Sequence, residues 1–480
     1  MRAKHVTLVL VLGLAIVTIG VGSIWTLMNL GDVPGYGDSS EYVQIASTMK
    51  VDRYRGILYP AVLSLVRTWR EDPDTVQYYR DVQLIQLCVF IVSLAYFLYV
   101  IADTKFLRNS GGRAHVVVGL GLLFALLFFD PLIAHFNLSI MPDGLALSGS
   151  LIFCAAFADL GVRRTHPAIA GIALLLGHLL TAGVRVEKNV ILATATVITV
   201  VIWITLSRRQ ASPMLPHLRR HAVIALFIVA TGFGIVLSVH RAFYEPSVRW
   251  PTWISVAHNR IIFPNLRLAY DDLPESVRSL IHPEDARIYD LHLRNAWAVM
   301  NDVTGNDPER LDQLTRELLI PVLRARWPAI AGSIVTDTTE NILAPFSFYA
   351  RLTRWICGGA KESVYRGGEA TSWTYHNLAK PHPRSSGIFV ALSASMCVVA
   401  VMIAMLYARA RVRDRGWSFA PRVLIMITPC AAFIAVNALA FAATVSLVHI
   451  RYTILAHALF MFLFYVATMR WLLSYGNGRR

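Results

Sequence analysis

Charged residues are scarce in this chain. Asp, Glu, Lys and Arg make up 16% of the 480 residues, hydrophobic residues make up 55%, and the mean hydropathy is +0.52. Soluble proteins contain about 25% charged residues, so the composition excludes a set of ordinary soluble domains. Several stretches of about 20 residues carry almost no charge, and a helix of that length crosses a hydrocarbon core of roughly 30 Å. The composition therefore predicts a polytopic membrane protein.

Cysteine is also rare, and its positions exclude a disulfide framework. Four of the five cysteines lie in apolar segments, and Cys357 stands alone in a long polar region, so we predict no disulfide. No HExxH, CxxC, Walker or GxGxxG motif occurs in a credible context. The net charge of +15 does not indicate nucleic acid, because the basic excess lies in short loops between apolar segments.

Ten apolar segments predict ten transmembrane helices, the first of them retained rather than cleaved. They cover residues 6–28, 82–102, 115–136, 143–161, 168–183, 189–206, 222–240, 387–408, 422–447 and 453–475. Basic connectors alternate and share the side of the basic N-terminus, so the positive-inside rule makes both termini cytoplasmic. Segment 168–183 is short enough to be a broken or re-entrant helix. Arginine is used more often than lysine, which suggests a GC-rich bacterial genome. We therefore expect the protein to lie in the bacterial cytoplasmic (inner) membrane.

The apolar segments divide the chain into three parts. Residues 1–240 form an N-terminal transmembrane module with a first outer loop at 29–81, and residues 387–480 carry the C-terminal transmembrane helices. Residues 241–386 are nearly charge-balanced and rich in Trp and Tyr, and they predict an extracytoplasmic domain with helices at 284–303 and 309–326, each following a proline. We expect an all-α protein with a bundle of about ten transmembrane helices and a small, mainly helical outer domain.

The first outer loop contains the stretch "DSSEYVQIASTMK", which has the pattern of a helix start. Asp38 suits the N-cap, and Glu41 three residues later completes a capping box. A second amphipathic run extends from Ile57 to Trp69, so two helices are expected in the plane of the interface. These carboxylates are therefore explained either as helix caps or as part of an active site.

The same loop resembles the GT-C superfamily of glycosyltransferases, which includes protein O-mannosyltransferases and the enzymes that add aminoarabinose to lipid A. Those enzymes read approximately Asp-x-x-x-Tyr-x-x-x-Ala in the first outer loop, followed by Arg-x-Pro-x-Tyr-Pro. The matching residues here are Asp38, Tyr42 and Ala46, then Arg55, Tyr59 and Pro60. Gly56-Ile57 stands where a proline is common. Arg451-Tyr452 resembles the late Arg-Tyr element of the family.

The resemblance implies a GT-C-type bundle and an inverting transfer from a polyprenyl-phosphate-linked sugar to a glycan, lipid or protein acceptor. An acceptor hydroxyl gains from a carboxylate base, and Asp38 is the candidate. Glu41 and Asp143 would support it or help to hold a divalent metal ion, whose requirement stays open. Cations must hold the donor phosphate, and the candidates on the outer face are Arg55, Arg185, Lys188 and Arg451. Tyr42, Tyr59 and Tyr452 are expected to position the loops.

Simpler interpretations stay open for several of these residues. Asp143 could serve only the dipole of its helix, and Arg185 and Lys188 could snorkel to the interface. A flippase or transporter of lipid-linked sugars is an alternative function, although no internal repeat is visible. A polysaccharide polymerase or ligase would use arginines of the long segment, namely Arg260, Arg267, Arg278, Arg287 and Arg294. A GT-C-like scaffold without activity is a third alternative. The stretch "LTRELLIPVLRARWP" (314–328) looks like a family feature without an assigned role.

Overall fold

A computed structural model of the chain describes ten stretches and five isolated positions. The stretches are 37–51, 55–69, 76–102, 140–162, 165–209, 215–245, 252–273, 275–279, 300–356 and 421–444, and the positions are 127, 133, 137, 458 and 459. Helices account for most of these residues. The described part contains no β-sheet, only one isolated β-bridge between Val51 and Tyr244. The described chain is therefore all-α, as predicted.

Eleven α-helices are described, and we number them in chain order. They are α1 Gly37–Thr48, α2 Leu58–Thr68, α3 Val76–Ala102, α4 Asp143–Val162, α5 Pro167–Val184, α6 Glu187–Arg209, α7 Leu215–Phe243, α8 Thr252–Val256, α9 Glu275–Arg278, α10 Pro308–Ile356 and α11 Pro421–Thr444. A π-helix at Ala257–Ile262 and a 3₁₀-helix at Arg267–Asp272 lie between α8 and α9.

Seven described helices are long and apolar enough to cross a membrane, so the chain is an integral membrane protein. Six of them, α3 to α7 and α11, coincide with predicted segments. The seventh, Pro308–Ile342 in α10, lies in the region predicted as the outer domain. Segments 6–28, 115–136, 387–408 and 453–475 lie outside the described residues except for isolated positions, so the count of ten stays a prediction.

Helix starts follow local signals in the sequence. α5 begins at Pro167, where the missing N–H costs nothing, and the His166 side chain accepts a hydrogen bond from the Ala168 N–H. α5 then runs unbroken to Val184, so the predicted short segment is one continuous helix. α10 begins at Pro308, as predicted, but continues to Ile356. α3 begins at Val76, earlier than the predicted residue 82, which shortens the first outer loop.

Helix α4 lies at the centre of the described bundle, because nearly all of its residues are buried. It packs most closely on α5 through two glycines. A Cβ at Gly149 would lie 2.7 Å from the Thr181 nitrogen, and one at Gly177 would lie 2.5 Å from the Phe153 nitrogen. Small residues allow membrane helices this close approach. The α4–α5 pair is therefore a rigid base for side chains at its ends.

A second hydrophobic core lies apart from that of the bundle. It consists of Ile254, Ala257, Ile262, Phe263, Leu266, Ala269, Leu273, Met300, Leu311, Leu314, Leu318 and Val322. Two residues of the π-helix make polar contacts with α10. His258 Nε2 lies 2.8 Å from the Thr315 hydroxyl, and Arg260 donates to Asp337 at 2.5 Å and to Ser333 at 2.7 Å. Side chains of 252–273 and the first half of α10 therefore form one packed unit.

His258 makes this second core sensitive to acid. Burial lowers the pKa of His258 to about 3, from an ordinary value near 6.5. The unfolded state therefore binds more protons below pH 6.5, and stability present above that pH is lost as the pH falls towards 3. We expect acidification from pH 7 to pH 5 to cost the second core about 2 kcal/mol.

Hydrogen exchange of the α10 amides near Leu311 and Leu318, measured at both pH values, tests this expectation. His258→Gln should remove most of the pH dependence, because an amide can still bond Thr315 but does not titrate. His217→Gln, at an exposed position of α7, is the matched control and should leave the dependence unchanged. Equal protection factors at pH 5 and pH 7 in the wild-type chain, after correction for the intrinsic exchange rates, would contradict the assignment.

Candidate functional site

The corner between α5 and α6 carries a buried ion pair. Arg185 follows the last residue of α5 with extended backbone (φ −141°, ψ 96°), and α6 begins at Glu187. The Arg185 guanidinium donates to both carboxylate oxygens of Asp143, at 2.8 and 3.0 Å, and contacts Glu187 at 3.4 Å. Asp143 is the first residue of α4 and is 1% exposed. A pair this deeply buried depends on both partners, since either charge alone would be costly.

Lys188 lies next to that pair and is also buried. Its ammonium donates to the Asn437 side-chain oxygen at 2.6 Å and lies 4.2 Å from the centre of the Phe441 ring. A lysine ammonium has three N–H donors, and none of the described ion pairs includes Lys188. The side chains of Arg185 and Lys188 both lie inside the protein, which does not fit the snorkelling interpretation. Lys188 is therefore a buried cation with donors to spare.

The segment after α1 adds a third cation. The Arg55 guanidinium donates to the Glu41 carboxylate and lies 5.5 Å from the centre of the Tyr42 ring. Tyr42 in turn meets Tyr59 edge to face, with ring centres 5.3 Å apart. Glu41 was predicted to complete a capping box, but its carboxylate binds a guanidinium, which is a stronger, charge-assisted partner. These contacts join α1 to the start of α2.

The start of α1 is anchored beside the start of α4. The Ser39 hydroxyl donates to the Ile140 carbonyl at 2.8 Å, three residues before Asp143. Asp38 was predicted as the N-cap, but α1 begins at Gly37, so Asp38 is a helical residue of the first turn. A carboxylate there still suits the positive end of the helix dipole. The side chain of Asp38 lies outside the described part of the structure.

Tyr59 occupies the space between the loop and the ion pair. Its ring is fully buried, and its hydroxyl has no hydrogen-bond partner among the described residues. Burial raises the pKa of Tyr59 well above its ordinary value, and Tyr42, Tyr78 and the Asp143 carboxylate raise it further. The hydroxyl therefore stays protonated at physiological pH. It is a buried donor close to Asp143.

Gly56 explains how the loop and the corner come so close. A Cβ on Gly56 would overlap the carbonyl oxygen of Gly183 and would lie 2.7 Å from the carbonyl carbon of Val184. Only glycine allows such a backbone contact. The residue that follows Arg55 is thus pressed against the last turn of α5, directly before Arg185. The sequence resemblance places a proline near this point, and the packing gives a reason for glycine instead.

Most of the predicted site residues that the structure describes meet at one end of the bundle. Tyr42, Arg55 and Tyr59 pack around the loop, and Asp143, Arg185 and Lys188 form the corner beneath it. Arg451 and Tyr452 lie outside the described residues. Sequence reasoning missed Asn437 and Phe441, although an amide within the apolar helix α11 is itself a signal of a buried polar contact.

The described residues contain no group of three His, Cys, Asp or Glu side chains able to hold a metal ion. Glu41 and Asp143, the two carboxylates predicted to help with a metal, each bind an arginine. What the site offers within the described chain is a set of positioned cations and a tyrosine hydroxyl. Such a set can bind an anion and stabilise negative charge. The chain matches no protein-family model, no curated protein and no solved structure.

Proposed function

We propose that the chain is an inverting glycosyltransferase of GT-C type. It moves a sugar from a polyprenyl-phosphate-linked donor to an acceptor on the extracytoplasmic face of the membrane. The observation that carries the proposal is the contact between two segments about 130 residues apart in sequence, 55–60 and 183–188. The first holds the motif that resembles the GT-C superfamily, and the second holds the buried cations.

The reaction needs one base and one anion site. The acceptor hydroxyl oxygen attacks the anomeric carbon, the bond from that carbon to the phosphate oxygen breaks, and polyprenyl phosphate leaves with the electron pair. Asp38 takes the hydroxyl proton as general base. The leaving phosphate is stable as an anion, so fixed cations that stabilise its developing charge contribute more than a general acid would. A single displacement inverts the configuration of the sugar.

Lys188 and Arg185 both bind the phosphate, each in a different way. Lys188 has unused N–H donors and is in no described ion pair, so it can bind a phosphate oxygen without losing a carboxylate partner. Arg185 is held in place by Asp143, and its weak 3.4 Å contact with Glu187 can yield to a phosphate oxygen. The Tyr59 hydroxyl supplies a neutral donor. The prenyl tail remains in the bilayer while the phosphate reaches the end of the helices.

The packing around the long segment bears on one alternative. A polymerase or ligase would rely on exposed arginines after residue 241, yet Arg260 is 2% exposed and held by Asp337 and Ser333. Arg260 thus serves the contact with α10 and is not exposed to a substrate. In our proposal the segment 241–386 is an outer domain that covers the site and meets the acceptor. Its second core supports a separately packed unit.

Transfer from radiolabelled polyprenyl-phosphate sugars by membranes containing the full chain tests the proposal. Asp38→Asn should lower the transfer rate by about 10²- to 10⁴-fold, the usual contribution of a general base. Donor binding should be retained, because the amide removes the base but not the cations. Photo-crosslinking of the donor to both proteins measures that binding.

A matched control is the acid-to-amide change Glu245→Gln near the same end of the bundle. Glu245 forms an exposed ion pair with Lys50, and such pairs contribute about 0–1 kcal/mol, so transfer should continue. Undiminished transfer by Asp38→Asn would refute Asp38 as the base. Uptake of labelled lipid into vesicles without transfer to any acceptor would favour the transporter instead.

A further inference from the structure

The helix α10 exposes a continuous apolar face beyond the second core. Its large exposed side chains are Ile320, Leu323, Trp327 and Val335, between 41% and 67% exposed. They recur at helical spacing on one side. The opposite side carries Leu311, Leu314, Leu318 and Val322, which form part of the second core. We call the first set, together with Arg324, the exposed face of α10.

The charges on this stretch have a single sign. Residues 318–335 contain no Asp or Glu, and their two charged residues are Arg324 and Arg326. Neither arginine forms an ion pair or hydrogen bond with another residue in the part of the chain that the structure describes. Carboxylates of a neighbouring protein could pair with such arginines. The phosphates of lipid headgroups can pair with them as well. Trp327, beside them, is a residue enriched at the membrane interface.

We propose that the exposed face of α10 lies in the plane of the bilayer interface, with its apolar side chains among the acyl chains and Arg324 and Arg326 at the headgroup phosphates. Two observations favour lipid as the partner. The same helix continues to Ile342, which packs on the core of the membrane bundle. The stretch is also long enough to cross a membrane, yet crossing would bury both arginines in hydrocarbon.

The in-plane arrangement removes that cost. Arg324 lies six residues into the apolar run, about 9 Å along the helix axis, so a spanning helix would hold it well below the headgroups. A helix lying at the surface keeps every residue at headgroup depth, and the arginine stems can extend sideways to phosphate. This gives the stretch "LTRELLIPVLRARWP" a physical role. The proposal does not depend on the transferase activity.

Spin labels on the full chain in nanodiscs containing phosphatidylglycerol test the proposal. Labels are introduced by Ile320→Cys, Trp327→Cys and Val335→Cys, with the five native cysteines of the chain replaced. The control is Ala329→Cys, which is exposed on the side of α10 opposite Ile320. Collision rates with oxygen and with a water-soluble nickel complex report the depth of each label.

We expect the three labels on the exposed face to collide several-fold more with oxygen than with nickel and to share one shallow depth. The Ala329→Cys label should favour nickel. In Arg324→Gln/Arg326→Gln the label at 327 should become shallower, because the contact with the headgroup phosphates is lost. Three results would overturn the proposal: nickel-rich collisions at 327, labels shielded from both reagents by protein, or a depth maximum at 327 that marks a spanning helix.

Discussion

Asp143→Asn is expected to destabilise the protein by about 3–5 kcal/mol, because it removes the negative charge that binds the buried Arg185 guanidinium most closely and leaves the weaker 3.4 Å contact with Glu187. The cost exceeds that of an exposed ion pair, since the arginine is 7% exposed and cannot turn to water without opening the α4–α5 corner. Sugar transfer should fall with it, because Arg185 would no longer be held in place. Denaturant unfolding in nanodiscs, followed by tryptophan fluorescence, measures the first effect.

Asp159→Asn is the matched control at the other end of α4. Asp159 is equally buried, and its carboxylate accepts hydrogen bonds from the Tyr96 hydroxyl and from the N–H and hydroxyl of Thr165. An asparagine oxygen can accept some of these bonds, so the loss should be about 1–3 kcal/mol. Transfer by the folded fraction should stay unchanged. A similar loss in both variants would show that the cost is not specific to the Asp143–Arg185 pair.

A double variant separates stability from function. Asp143→Leu/Arg185→Met replaces the whole pair with apolar side chains of similar size, a change that is often neutral or stabilising for a buried pair. We expect stability to return to about the wild-type level while transfer stays lost. The pairwise coupling follows from the double-mutant cycle. Wild-type transfer by the double variant would show that the pair serves folding alone.

The parts of the fold that sequence predicted are those set by local composition. Hydropathy located α3 to α7 and α11, and Pro308 marked the start of α10, since each signal acts within one helix. The extension of α10 beyond residue 326 was not predicted, because the contacts there come from far along the chain: Arg260 binds Ser333 and Asp337, and Ile342 packs on the core of the bundle. Tertiary contacts decide such cases.

The candidate site, like the fold, was predicted from the sequence only in part. The distribution of charge predicted that Arg55, Arg185 and Lys188 lie on one side of the membrane. It did not predict which residue each of them contacts. The partners lie far along the chain: Asp143 is 42 residues from Arg185, and Asn437 is 249 residues from Lys188. Such pairings follow from which helices pack together, and a single sequence does not encode that as a local pattern. The backbone contact at Gly56 is invisible for the same reason.

Gly56→Ala should move the loop away from the corner and abolish most transfer, without removing a charged group. The new Cβ would meet the backbone of Gly183 and Val184, and a backbone cannot swing aside as a flexible side chain can. Relief requires a shift of residues 55–57 or of the last turn of α5. Either shift changes the distance between Arg55 and Arg185. Overpacking of this kind costs about 1–3 kcal/mol.

Gly183→Ala provides the matched control on the other side of the same contact. A Cβ on Gly183 would lie 3.4 Å from the Leu58 side chain, an ordinary contact, and alanine favours the helix by about 0.5–1 kcal/mol over glycine. This variant should keep wild-type transfer and gain slightly in thermal stability. The transfer rate and the unfolding midpoint of both variants test whether the close approach of the loop controls transfer. If the two alanines behave alike, the close approach of the loop does not control the site; if only Gly56→Ala is inactive, activity requires the loop and the buried cations to stay in contact.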